Sequence, residues 1–183
     1  MSRPPTTAPH GAERDLLDRL LVRAPALVAS IAGGVRRIPP SSSLRRRLVN
    51  LQVRRTFVAM TRGDVEVVAL VYESGAEIWM NGLAGVGLSG CYRGLEGVRA
   101  IYADFDEAFD TKRWIVRGVA DDGDRVVVRV NFAGHGRSSG AATTLNDSGT
   151  VIELSARGLI ARQDWFVEPD GWNKALDAVG LSE

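Results

Sequence analysis

Hydrophobic and polar positions along the chain fall into two regimes. Up to about residue 74 apolar residues recur at helical spacing; beyond Gly75 they alternate. The first regime predicts a helix from about Ala12 to Ala32, bent near Pro25 and ended by Gly33-Gly34. Pro39-Pro40-Ser41-Ser42-Ser43 is a clear break, with serines placed to cap the next helix. That helix, LRRRLVNLQVRRTFVAMTRG, sets Leu44, Leu48, Leu51, Phe57 and Val58 broadly on one stripe. Gly63 stops it, and Asp64 caps a short successor over VEVVALVYE.

In the second regime AEIWMN reads as a strand, and GLAGVGLSG as a glycine-rich loop. GLEGVRAIYADFDEAF is a third long helix, apolar at Val98, Ile101, Tyr102, Phe105 and Phe109. Strands TKRWIVRGVA and RVVVRVNFAG follow, joined by Asp121-Asp122-Gly123-Asp124, a strong hairpin signal. Further extended segments, AATTL to TVIELSA and LIARQDWFV, precede a closing helix DGWNKALDAVG. Helices first and antiparallel strands afterwards define an α+β domain. The expected organisation is a disordered tail over 1–11, a helical extension over 12–43, and one domain over 44–183.

Composition narrows the chemistry. A single cysteine, Cys91, excludes an internal disulfide framework, and with only His10 and His135 no protein-only metal site is expected. No cofactor is implied. The formal charge of +1 hides an asymmetry: residues 1–62 hold 12 Arg and 3 acids, whereas residues 63–183 hold 11 Lys and Arg and 19 acids. The arginines of 44–62 have no interleaved aromatics, and an acidic body attracts a basic helix by itself, so nucleic acid is not the expected partner. The apolar run Ala24–Val35 is too short to span a bilayer. The reading is a cytoplasmic protein whose leucines over 12–37 pack on its own body or on a dimer mate. An amphipathic helix resting on a membrane surface is the alternative. GLAGVGLSG lacks the Lys-Ser/Thr pair of a phosphate loop.

Five segments, in this order, carry a family resemblance. They are TRGD (Thr61–Asp64), YRGLEGVRAIY (Tyr92–Tyr102), DDGDRVVVRVNFAGHGRSSG (Asp121–Gly140), RGLIARQDWF (Arg157–Phe166) and ALDAVGL (Ala175–Leu181). The chain resembles the SnoaL-like branch of the nuclear transport factor 2-like superfamily. The resemblance implies a cone: a strongly curved, mostly antiparallel sheet wrapped around helices, enclosing a pocket for an apolar small molecule, and a homodimer.

Within that superfamily, ketosteroid isomerases need acids where this chain has Thr56, Met80, Asn81 and Thr150. The limonene epoxide hydrolases are more similar. Trp79-Met80-Asn81 matches their first strand with tryptophan for tyrosine. Arg129-Val130-Asn131 matches a middle strand with asparagine for the acid, and Asp164-Trp165-Phe166 matches the last strand. The resemblance implies Asp164 as base, Asn81 orienting water, Arg129 tuning the carboxylate and Asn131 stabilising a developing alkoxide. Trp79, Trp165, Phe57 and Tyr102 would line the substrate pocket. Strand periodicity puts Trp79 with Asn81, and Arg129 with Asn131, on single faces; the opposite row of Val126, Val128, Val130 and Phe132 is wholly apolar. The polar face is expected inside or over a cavity. Asp164 beside an arginine equally fits a structural ion pair, and the expected activity is acid–base opening, cyclisation or isomerisation of a polyketide- or terpenoid-like substrate. A non-catalytic ligand-binding or dimerisation module is its rival.

Overall fold

The computed structural model describes residues 14–81, 88, 90–168 and 170–181. Helices α1 (Leu16–Arg23), α2 (Pro25–Arg36), α3 (Ser43–Arg62) and α4 (Val65–Ala69) come first. Strands β1 (Tyr72–Asn81) and β2 (Gly90–Arg93) are followed by α5 (Gly94–Ala108). Then come β3 (Phe109–Asp121), β4 (Arg125–Gly136), β5 (Ala142–Leu154), β6 (Ile160–Phe166) and α6 (Gly171–Asp177). The strands form one sheet in the order β2-β1-β6-β5-β4-β3. All its pairings are antiparallel except β1 with β6, so this is an α+β cone with an N-terminal helical extension. The expected tail over 1–11 and the loop over 82–87 lie outside the described residues.

Several boundaries differ from the periodicity reading, each for a physical reason. The first helical segment breaks after Arg23, and Pro25 starts α2 at a position where its missing N–H costs nothing. Gly33-Gly34 do not end that helix, which runs on to Arg36. The turn at Arg157-Gly158 approaches α2 there through Gly158, which has φ +75° and leaves no room for a Cβ beneath the Ala32 carbonyl. Strand β1 starts at Tyr72, three residues ahead of Gly75, because it pairs there with Ile160. Cys91 and Tyr92 form β2 against Trp79 and Ile78, ahead of the third long helix. The α3 stripe also divides: Phe57 is buried, while Leu44, Leu51 and Val58 are exposed.

The inner face of the sheet carries Ile78, Met80, Val126, Val128, Val130, Phe132 and Trp165, closed by α3, α4 and α5. Its centre is aromatic: Phe57, Phe105, Phe109, Trp114, Phe132 and Trp165 stand in edge-on or tilted contact, or stacked for Phe105 on Phe109, with ring centroids 4.6–6.3 Å apart. A second, smaller core lies on the outer face, where α6 packs Ala175, Leu176 and Val179 on Val127 and Val151. That contact needs Gly149, since a Cβ there would lie 2.6 Å from the Ala175 Cβ.

The extension is clipped to the cone by charge. Arg14 makes a two-point ion pair with the Asp64 cap at 2.7 and 2.8 Å. Asp18 accepts from Arg55 at 2.6 Å and from Arg62 at 2.5 Å. Arg36 reaches Asp124 at 2.6 Å. Arg45, only 2% exposed, donates to both carboxylate oxygens of Asp121 at 2.7 and 2.9 Å. It also holds the carbonyls of Arg36 and Ile38 at 2.9 and 3.0 Å, and that of Gly123. The basic front and the acidic body thus neutralise each other at the seam.

Candidate functional site

A cavity lies between the extension and the cone, away from Asp164, Asn81 and Arg129. It has a volume of about 300 Å³, at the lower end of the usual ligand-cavity range. Its roof is Leu17, Leu21, Val28 and Val35 from α1 and α2. One wall is Val49, Val53 and Phe57 of α3, and its floor is Tyr72, Ile152, Ile160 and Gln163 of the sheet. The charged groups that reach it are already ion-paired, Asp18 with Arg55, Arg36 with Asp124 and Arg45 with Asp121.

The floor holds a short polar chain. The Tyr72 hydroxyl donates to Gln163 Oε1, and the Gln163 amide donates to Thr150 Oγ1 at 3.1 Å; all three residues are buried. Burial pushes the Tyr72 phenol well above its ordinary range, so it stays protonated as a donor. Its oxygen retains lone pairs for a further donor. Tyr72 also borders a second space of about 10 Å³, the size of one water, beside Tyr102, Trp114, Lys112 and Trp165. The Tyr102 hydroxyl there is buried without a hydrogen-bond partner among the described residues, and burial with the neighbouring Tyr72 raises it. Lys112 is ion-paired with Asp106, while burial and Arg137 lower its ammonium. The aromatic cluster therefore fills the interior of the cone almost completely.

Asn81, Arg129, Asn131 and Asp164 all lie on the outer face of the sheet. This corrects the expectation of a polar face over a cavity: the alternate valines, Phe132 and Trp165 take the inner face, since burying them against the helices releases more apolar surface from water. The register separates them further. Asn81 pairs with Phe166, Phe166 with Gly149, and Gly149 with Arg129, so two strands intervene and the separation is about 14 Å. Helix α6 stands over the Gly149 position between them.

Asp164, Arg129 and Asn131 each have another partner. Asp164, with its side chain 17% exposed, accepts from Arg162 Nε and Nη2 at 2.8 and 3.0 Å. The Arg162 guanidinium lies 5.5 Å from the Trp79 ring centroid. Arg129 pairs with Asp147 at 2.8 Å and sits 5.8 Å from the Trp172 ring, and Asn131 Oδ1 accepts from the Asp147 N–H at 3.2 Å. Among the substrate-lining candidates, Phe57 borders the 300 Å³ cavity and Tyr102 and Trp165 the small one; Trp79 faces outward. Residue reasoning missed the roof of the cavity. The signal was present in Leu17, Leu21, Val28 and Val35, whose spacing marks a helical apolar face, but nothing local tells a face packed on a core from one packed over a hollow.

No group of three or more His, Cys, Asp or Glu side chains among the described residues is placed to hold a metal ion. No helix among them is long and apolar enough to cross a membrane.

A curved six-stranded sheet around helices, open at one end, defines the cone of the nuclear transport factor 2-like proteins. The SnoaL-like domain family matches residues 53–163, more than half of the sequence, and the chain belongs to that family. Helices α1 and α2 and the first half of α3 precede the matched span. No curated protein is significantly similar in sequence. Among solved structures, TerC co-crystallised with polyporic acid is similar at 19% identity and a TM-score of 0.57, over 69% of this chain and 95% of that one. A protein of unknown function with the same fold from Burkholderia pseudomallei K96243 gives 18% and 0.58, over 69% and 93%. The epoxide hydrolase/cyclase-like enzyme SalBIII, from pyran ring formation in the polyether salinomycin, gives 15% and 0.54, over 67% and 92%. The shared property at these identities is the fold.

Proposed function

We propose that the chain binds an apolar small molecule carrying one hydroxyl or comparable donor, in the cavity between its N-terminal helices and the cone. The observation that carries this reading is the cavity itself: about 300 Å³, walled mainly by aliphatic side chains, with Tyr72 and Gln163 as the polar groups of its floor. The co-crystallised relative TerC is consistent with small-molecule binding on this fold. Acid–base chemistry at Asp164 finds no support in the geometry, because its carboxylate is spent on Arg162 and has no hydrogen bond to Asn81 or Arg129 among the described residues. Binding or sequestration is therefore the better account than epoxide opening.

Titration calorimetry with long-chain alcohols and polycyclic phenols tests it. The expected result is saturable one-to-one binding with a negative heat-capacity change. Val49→Phe, which fills the cavity, weakens it about tenfold or more, whereas Asp164→Asn leaves it within about twofold. Binding that survives Val49→Phe in a folded protein, or that falls with Asp164→Asn, overturns the reading.

A further inference from the structure

We infer that the outward faces of α1, α2 and α3 form a docking surface for an anionic lipid bilayer, with the mouth of the cavity at its centre. All the large hydrophobic side chains found exposed among the described residues belong to these three helices. On α3 they are Leu44, Leu51 and Val58, exposed by 55%, 59% and 54%. Arg47 and Arg54 fall between them, so the run advances by three, four, three and four residues and occupies one exposed stripe of the helix. Leu16 and Leu20 on α1 and Leu27 on α2 extend the patch. Three of the exposed side chains, Leu17, Ile31 and Leu51, also line the cavity, which places its opening inside the patch.

Charge selects the occupant. Residues 16–62 contain ten arginines and one acid. Asp18, Asp121 and Asp124 neutralise Arg55, Arg62, Arg45 and Arg36 at the seam with the cone. Among the described residues Arg23, Arg37, Arg46 and Arg47 have no carboxylate partner, and Arg54 bonds only to Asn50 and the Val116 carbonyl. A symmetric pair of copies on this face would set Arg47 and Arg54 against the same cations of the mate. A bilayer with anionic headgroups neutralises them instead, takes the leucines into its interface, and lets the arginine stems lie along the acyl boundary. The surface stands independently of the ligand reading, but the two join in one consequence: an apolar molecule enters the cavity from the membrane without crossing water.

The test uses the full chain and vesicles of phosphatidylcholine, alone or with one third phosphatidylglycerol, read by co-sedimentation. The expected result is partitioning onto the anionic vesicles that half-molar salt abolishes, and little onto the neutral ones. Each arginine adds about fivefold on such a surface, so Arg47→Glu with Arg54→Glu lowers partitioning about twenty-fold or more. Leu44→Glu with Val58→Glu, neither of which lines the cavity, lowers it about tenfold or more while the thermal melt and the ligand titration stay unchanged. Wild-type protein that remains in the supernatant, or anionic preference that persists in the arginine double variant, overturns the proposal. So does a dimer in light scattering that the Leu44→Glu, Val58→Glu protein loses, since the face then belongs to a second copy. Val49→Phe separates the two readings: a variant that loses the ligand and still binds vesicles keeps both the surface and the cavity, whereas wild-type protein that binds the ligand but not the vesicles keeps only the cavity.

Discussion

Replacing Arg45 by methionine removes the polar pin that joins the extension to the β3–β4 hairpin. The guanidinium makes two bonds to Asp121 and three to backbone carbonyls, and both ionic side chains are almost fully buried, at 2% and 4% exposure. Without it the Asp121 carboxylate keeps, among the described residues, the Gly123 N–H at 3.0 Å. Breaking one partner of such a pair costs about 3–5 kcal/mol, because a buried charge is left uncompensated. The Arg36 and Ile38 carbonyls are half-buried and regain water, so they add little; the expected loss is about 4 kcal/mol. For a chain of this size that is about 12 °C in melting temperature. Urea denaturation followed by circular dichroism measures it. The double variant Arg45→Met, Asp121→Leu removes both charges and recovers most of the loss. A single variant costing under about 1 kcal/mol, or a double variant costing more than the single, refutes the reasoning.

Two further predictions follow from the same seam and from the outer face. Burial by itself raises the Asp18 carboxyl, but the bonds from Arg62 and Arg55 outweigh it and hold it below the ordinary value. A depressed carboxylate stabilises above its unfolded pKa of about 4 and loses that contribution as pH falls through the folded value. Hydrogen exchange over Leu16–Arg23, expressed relative to the intrinsic amide rate at each pH, is therefore expected to be flat from neutrality to about pH 4 and to rise below it, and to be fast throughout in Asp18→Asn. A rise already at pH 6 in the native chain would assign the clip to other groups. Gly149→Val drives α6 off β5 by overlap with Ala175, at a cost of about 1–3 kcal/mol. Limited proteolysis at Lys174 reads it, with faster cleavage expected than in the native chain.

The alternation of RVVVRVNF was legible as a strand with one apolar face, and Asp121–Asp124 as its hairpin, because both signals are local. The fold class followed from the order of these elements. Which face looks inward was not legible from Arg129 and Asn131, since a strand's two faces are distinguished only by what packs on them; here α6 and Gly149 occupy the outer one. The Asp164–Arg162 pair was foreseeable as an alternative from their spacing of two residues. The cavity was not, because it arises between segments distant in sequence, Leu17 to Val35 against Tyr72 and Ile152 to Gln163. Arg45 was read as one cation of a basic helix. Its burial depends on Asp121, 76 residues away.

The filling of the cone by aromatic rings gives the molecule an internal optical reporter. Trp114 and Trp165 are buried with ring centroids 5.2 Å apart and tilted by 51°, close enough for their transitions to couple, whereas Trp79 and Trp172 lie on the outer face. A signed near-ultraviolet dichroism pair from the inner two tracks the integrity of the cone alone. Displacement of α1 and α2, which contain no tryptophan, leaves it unchanged. One spectrum thus distinguishes a chain that has opened its roof from one that has begun to unfold.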